Sequence, residues 1–440
     1  MKKIIYILLL LSFSLFLFLN QNKETNIDNG VLSTTFNKEE ILNIKISFDE
    51  DNYVKLYGDV SLEEYVSATV IINDEIYYNV GVRTKGQDEY KATTTTYNPN
   101  YKWSYRVKFD KFVEGQTYHG LTDIALNNNV TDITNIKEVI AYDMFSKNGV
   151  KTPYNTFGNV VINNQNFGLY TVVEVIKEPF LVRYYGEDYG NLYKPDNSVT
   201  GKQYKGASLK FKGYDTKLYS AIFDRTETIK TNDQDNITLM NILDNINNGN
   251  MDNVNIDSFL NYMAVSNVLV LTDTYLGILT QNYYLYENDK IIEIIPFDLN
   301  IYINHPSIRD NYLNYPIKLD YFQDGECVKP IVCNVYEDEQ LYSLYKKKLI
   351  QVIETNINNG YIISQIDKYD QLIESNIDNE YNRYSYEEYK TSLKHFKLFF
   401  KERSTYITKQ IYSNNIPIDE KDYTADSSFD NKYVVREVGR

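Results

Sequence analysis

The sequence predicts an α+β fold with a β-rich first part and a mainly helical second part. Alternating or β-rich runs bounded by turn residues fill residues 42 to 126, while apolar residues at helical spacing dominate 337 to 413. With 43% hydrophobic and 24% charged residues over 440 positions, the chain has the composition of a globular protein and the length for a sizeable core.

The elements follow in order. "MKKIIYILLLLSFSLFLFLN" (1–20) sets a Lys pair before an apolar run, the layout of a signal peptide or membrane anchor. It carries no A-x-A-like cleavage site and no lipobox Cys, so both readings stay open, and both put the rest of the chain outside the cytoplasm. Residues 21–37 read as a polar linker. "LNIKISF", "ATVIINDEIYYNVGVRTKG", "WSYRVKF" and "DIALNNN" read as strands, with "ATTTTYNPN" as a polar loop. "DITNIKEVIAYDMFSKNG" reads as a helix with Asp132 as N-cap and Gly149 at its end. A hairpin with an Asn-rich turn, "FGNVVINNQNFGLYTVVEVI", precedes a short helix, "EPFLVRYYG".

Residues 196–250 are polar with weak helical periodicity and are expected at the periphery. "NIDSFLNYMAVSNVLVL" reads as a buried helix opened by Asp257, which leads through the loop "TDTYLGILTQ" into the strands "NYYLY" and "KIIEIIPF". The folded part spans 38–413 and divides near 176/177, and 414–440 is a polar tail. No internal repeat is present.

A formal net charge of -15 repels a phosphate backbone, which argues against nucleic-acid binding and favours basic proteins or small ligands. The two cysteines, Cys327 and Cys333 in "GECVKPIVC", suit a local disulfide in an exported chain better than a metal site. His119, His305 and His395 lie in unrelated segments and support neither a zinc centre nor a His-based relay.

The order of parts is that of a protein-kinase fold: a strand-rich region with one helix, a crossing, a buried helix, an Asp-bearing loop, a two-strand unit and a second Asp. Asp273, Asn282 and Asp298 then present oxygen-bearing side chains to one cleft, from opposite ends of the hairpin formed by the last two strands. Phosphoryl transfer needs such a set, because a hard Mg²⁺ ion takes oxygen ligands and a carboxylate must meet the attacking hydroxyl. The spacing departs from "HRDxxxxN" and "DFG". Taken singly, Asp273 could be satisfied by loop amides, and Asp298 could cap a turn.

"VGVRTKG", "KWSYRVKF", "FGLYTVVEVIKEPFL", "GNLYKPD", "TDTYLG", "NYYLY" and "PFDLN", in this order, resemble the spore-coat CotH family of atypical secreted protein kinases. The similarity covers about residues 42 to 412, and "FFKERSTYITKQI" fits that family's last helix. The resemblance implies a divergent two-lobed kinase-like fold, with a β-rich N-lobe over about 38–176 and a mainly helical C-lobe over about 177–413. It also implies ATP- and Mg²⁺-dependent phosphorylation of Ser, and of Thr, in extracytoplasmic or spore-coat proteins. Asp273 would be the catalytic Asp, with Asp298 and Asn282 as metal ligands.

On the nucleotide side, Lys102, Arg106 and Lys108 alternate along "KWSYRVKF" and share one face. Lys102 matches the Lys of the family's "KxSY"-like strand, Glu138 is the candidate ion-pair partner, and the backbone around Glu174 would meet adenine. Any of the three basic residues could instead be the solvated face of an edge strand. Two features depart from the family: "QDEYKATTTT" replaces a "GNSS"-like run, and Phe297 replaces a Trp.

Two rival functions remain at this stage. One is a non-catalytic surface or spore-coat assembly or adhesion protein using the same fold, and the other is an adenylyl transfer in the same metal cleft. For the kinase reading, the acidic charge favours basic, Ser-rich substrates such as coat proteins.

Overall fold

Leu42, Ile44 and Ile46 point inward from β1 (Leu42–Ser47), and Asn43, Lys45 and Ser47 point out. The same alternation runs through β2 (Val66–Ile72) and the far half of β3 (Glu75–Lys85). In the computed structural model, which describes residues 27–58, 63–85, 101–196, 206–224, 226–227, 232–277, 280–300, 312–323 and 325–413, these strands join a closed barrel. Its other members are β4 (Ser104–Lys108), β5 (Asp123–Asn127), β6 (Asn155–Ile162) and β7 (Gln165–Glu174), in the order β1-β2-β3-β4-β5-β7-β6. A parallel pairing of β1 with β6 closes it, so the barrel presents no open edge there. Asn163 and Asn164, with φ of 46° and 68°, make the β6–β7 turn; two left-handed residues are what a tight hairpin asks for.

Two helices sit on the barrel that the strand pattern does not announce. The linker expected over 21–37 gives way at α1 (Asn29–Thr35), capped by Asp28, and α2 (Glu50–Gly58) follows β1. Leu32 and Phe36 enter the barrel core, and one apolar residue per turn suffices for so short a helix. Leu32→Ala should therefore cost about 2 to 5 kcal/mol in urea unfolding, where a tether residue would cost nothing measurable.

α3 (Lys137–Lys147) begins five residues after the expected cap. Asp132 instead accepts the N–H groups of Thr134 (2.9 Å) and Lys137 (2.8 Å), bracing the lead-in turn, and Gly149 at φ 79° closes the helix as expected. Past β7 come α4 (Glu178–Tyr185) and β8 (Asn191–Tyr193).

The expected periphery at 196–250 holds α5 (Asp233–Asn247), whose Leu239, Met240, Ile242, Leu243 and Ile246 belong to the large helical core. Its polar face dominates the composition and hid the apolar stripe. α6 (Ile256–Leu269) is capped by Asn255, which accepts from Ser258 N–H; Asp257 sits in the first turn and pairs with Lys348 at 2.6 Å.

β9 (Tyr283–Asn288) and β10 (Ile291–Pro296) form a hairpin, extended by β8 into a three-stranded sheet. After the short pair β11 (Phe322–Gln323) and β12 (Glu326–Cys327) come α7 (Pro330–Glu337), α8 (Glu339–Val352), α9 (Tyr361–Ile373) and α10 (Tyr386–Tyr412). Cys327 and Cys333 are joined in a disulfide.

The barrel and the helical part have separate hydrophobic cores. Arg403 of α10, fully buried, ties the helical part together through the carbonyls of Leu313, Tyr315 and Asn267. The apolar run 1–20 and the tail 414–440 lie outside the described residues. Among the described residues no helix is long and apolar enough to cross a membrane.

Candidate functional site

The β9–β10 register puts Tyr283 opposite Pro296, so Asn282 and Asp298 emerge side by side at the open end of the hairpin. They flank the same end, not opposite ends, and Phe297 N–H faces Asn282 C=O at 3.4 Å. Both residues have a left-handed backbone, φ 55° for Asn282 and 56° for Asp298. Val270 at the end of α6 does too, at φ 56°, an unfavourable state for a β-branched residue. Non-glycine strain thus gathers on both sides of the loop that carries Asp273.

Asp273 is buried and accepts from Gln281 Nε2 at 2.8 Å. Burial, reinforced by the charge of Asp298, pushes its carboxyl up to about 6, against hydrogen bonds from Gln281 and Asn282. Asp273, Asn282 and Asp298 therefore share one cluster.

Glu138 of α3 faces this cluster from the barrel side. Burial and the Asp298 charge raise it to about 7, while its bond from Asn127 Nδ2 (2.7 Å) and the Lys85 ammonium pull the other way. Its second oxygen, Oε1, is buried without a hydrogen-bond partner. Lys85, the last residue of β3, donates to Asn127 Oδ1 and so stands over the same carboxylates. Asp298 N–H donates to Tyr142 Oη of α3 at 3.2 Å, tying the loop after β10 to the helix that carries Glu138.

A second lysine enters from below. Lys194 follows β8 and lies over the rings of Phe297 (5.0 Å) and Tyr284 (5.8 Å). Burial and the like charges of Arg106 and Lys85 hold its ammonium below the lysine range, against Glu227 and Asp298. Arg106 is bonded to the buried Asp123 at 2.9 Å, and Lys177 reaches the other oxygen of Asp123 at 3.3 Å.

Other residues expected at the site stand elsewhere. Lys102, two residues before β4, is buried; its Nζ donates to Leu169 C=O (2.7 Å) and Asn382 Oδ1 (3.4 Å), and burial alone lowers it to about 7. It does not meet Glu138. Lys108 pairs with Asp110 at 3.2 Å. The Glu174 carboxylate is taken up by Arg183 and by Tyr154 N–H (2.8 Å), so it serves as a strut at the end of β7.

Sequence reasoning missed Lys85, Lys194, Gln281 and Tyr142. Lys85 sits inside the quoted "VGVRTKG", at the end of a strand, and Lys194 inside "GNLYKPD", directly after the strand residues Leu192 and Tyr193. Nothing local separates such a lysine from one that snorkels to solvent.

These features define an α+β protein whose barrel and helical part meet at an acidic cluster faced by partly buried cations. The chain belongs to the CotH kinase protein family, whose model matches residues 82–407, about three quarters of its length. Inner spore coat protein H of Bacillus subtilis (strain 168) is 25% identical over 207 residues, 45% of this chain and 53% of that protein. The chain thus spans about half the length of the curated relative it matches. Among solved structures, the Helicobacter pylori proinflammatory kinase CtkA aligns at 12% identity over 80% of this chain and 92% of that one, with a TM-score of 0.26. A superposition that loose says nothing about the site.

Among the described residues no group of three or more His, Cys, Asp or Glu side chains gathers to hold a metal by itself. The oxygen donors present still suit a hard divalent cation. Two acidic side chains, Asp273 and Asp298, lie close enough to raise the pKa of the first, and Glu138 keeps a buried oxygen unpaired. Mg²⁺ is commonly held by one or two carboxylates completed by substrate phosphates, which such a set permits.

Proposed function

We propose that this chain is an ATP-dependent protein kinase acting on Ser, and on Thr, in extracytoplasmic proteins, with a divergent two-lobed kinase-like fold. The barrel is its N-lobe and the helical part its C-lobe. The convergence of Asp273, Asn282 and Asp298 opposite Glu138 and Lys85 carries this reading.

Asp298 and Asn282 would hold Mg²⁺, which supplies charge neutralisation on the phosphates. Lys85 and Lys194 approach the cluster from two sides and bind phosphate oxygens, with Arg106 behind them. Asp273, at about 6, is poised to accept the proton of the acceptor hydroxyl near neutral pH. The hydroxyl oxygen then takes the γ-phosphoryl group, and ADP leaves. The backbone of "VVEVI" around Glu174 would be the hinge that meets the base, the Glu174 carboxylate itself being held by Arg183 and Tyr154 N–H.

The net charge of -15 favours basic, Ser-rich acceptors. The Cys327–Cys333 disulfide supports an oxidising, extracytoplasmic setting, and the likeness to inner spore coat protein H supports a place in a spore coat.

The test incubates the full chain with labelled ATP, Mg²⁺ and a Ser/Arg/Lys-rich peptide, and reads the product by intact mass. A phosphoryl adduct that Asp273→Asn lowers by about 10² to 10⁴ is expected. Equal labelling by this variant overturns the assignment, and an adenylyl adduct overturns the reaction. No transfer together with no stabilisation by ATP points instead to a non-catalytic coat or surface assembly protein.

A further inference from the structure

The segment around the disulfide grips the loop that carries Asp273. Lys329 is 3% exposed, and its Nζ donates to the carbonyls of Tyr275 and Gly277. Tyr321 Oη donates to the carbonyl between them, that of Leu276, at 2.7 Å. Three successive carbonyls of "TDTYLG" are thus held by two side chains, and the ammonium also lies over the rings of Tyr321 (5.0 Å) and Tyr275 (5.6 Å).

The gripping residues are themselves fastened. Val328 N–H donates to Tyr321 C=O at 2.9 Å, Lys329 N–H lies 3.3 Å from Cys327 Sγ, and Cys333 N–H returns to Lys329 C=O at 3.1 Å. The disulfide closes this circuit around Lys329. On the loop side, a Cβ at Gly277 would fall 1.5 Å from the carbonyl oxygen of Thr272, so the gripped end folds back onto the residue just before Asp273.

We infer that Lys329 and Tyr321, braced by the Cys327–Cys333 disulfide, are positioning residues that set where Asp273 stands, so that phosphoryl transfer depends on the disulfide staying closed. This rests on the reading of Asp273 as the catalytic carboxylate. A buried ammonium with carbonyl partners only is a costly way to fill space, whereas it orders several backbone carbonyls at once. Displacing a reacting group by about 1 Å costs on the order of 10²-fold in rate.

The experiment compares the natural chain with Tyr321→Phe, Lys329→Met and the Cys327→Ser/Cys333→Ser double variant, and with the natural chain treated with dithiothreitol. That reagent's thiolates convert the disulfide to two thiols and are themselves oxidised to a cyclic disulfide. The readouts are kcat and KM for ATP and peptide, and amide hydrogen exchange over 272–277. Tyr321→Phe should lower kcat about ten-fold and Lys329→Met about a hundred-fold, with the KM for ATP within about three-fold and faster exchange in the loop. Reduction and the double variant should agree with each other.

Unchanged kcat in both Tyr321→Phe and the reduced chain overturns the inference, as does a loss of kcat matched by equal loss of ATP affinity. If Lys329→Met does not fold, Tyr321→Phe and reduction decide. If the natural chain transfers no phosphoryl group, the kinase reading fails separately. Loop exchange then decides the positioning, and protection unchanged by the variants overturns it.

Discussion

Asp298→Asn should lower phosphoryl transfer by about 10³-fold or more while leaving the protein at least as stable as before. The two halves of this expectation have one cause. In the proposed site Asp298 holds the cation on the phosphates, so a carboxamide there loses the charge the reaction needs. In the unliganded protein the same charge is a burden, because after burial it is the next force pushing Glu138 up, and it also raises Asp273. Its backbone N–H bond to Tyr142 survives the change. Steady-state kinetics and thermal melting check both halves. Activity within about ten-fold of the natural chain, or a stability loss as large as that of Leu32→Ala, would defeat the assignment.

Stability should fall as pH rises through the range set by Glu138, and a divalent cation should cancel the fall. Glu138 titrates near 7 when folded and lower when unfolded, so between those values the folded state binds more protons. Its favourable contribution is complete below the unfolded pKa and is lost as pH rises through about 7. Asp273, at about 6, acts in the same direction. Asp123 acts oppositely: despite burial, Arg106 and Lys177 hold it low, so its contribution is lost only in acid. Glu138→Gln should therefore flatten the pH dependence of unfolding between about pH 5 and pH 8, relative to the natural chain. Mg²⁺ should raise the melting temperature at about pH 8 and change it little at about pH 5, since it binds ionised carboxylates. Equal stabilisation at both pH values, or none at the higher one, would count against a metal at this cluster.

Local chemistry made part of this protein legible in its residues. Alternating or β-rich runs exposed the barrel strands, the Asn163–Asn164 turn exposed the β6–β7 hairpin, and the apolar run leading to Asp298 exposed the acidic cluster. Capping was less legible: Asp132 and Asp257 are plausible caps in sequence, yet Asp132 braces a turn and Asn255 holds the α6 terminus. Several side chains can satisfy one helix end, and the backbone path chooses among them. α1 was lost, and the weak helical periodicity of α5 did not reveal its burial, because polar faces outweigh a narrow apolar stripe once the stripe is counted as composition.

The cations show the limit most clearly. Lys85 ends β3, Arg106 and Lys108 lie on the neighbouring β4, and Lys102 stands two residues before β4, so a period of two says only which of them would share a face. Closing the sheet into a barrel turned Lys85 toward Glu138 and sent Lys102 to Leu169 C=O. Lys329 and Tyr321 lie more than forty residues beyond the loop they hold, and no spacing rule connects them to Tyr275, Leu276 and Gly277. Carboxylates after core strands can be found from hydrophobic pattern, because burial of their neighbours fixes their place along the chain. Partners of a buried charge depend on where distant backbone comes to rest, and only the folded chain settles that.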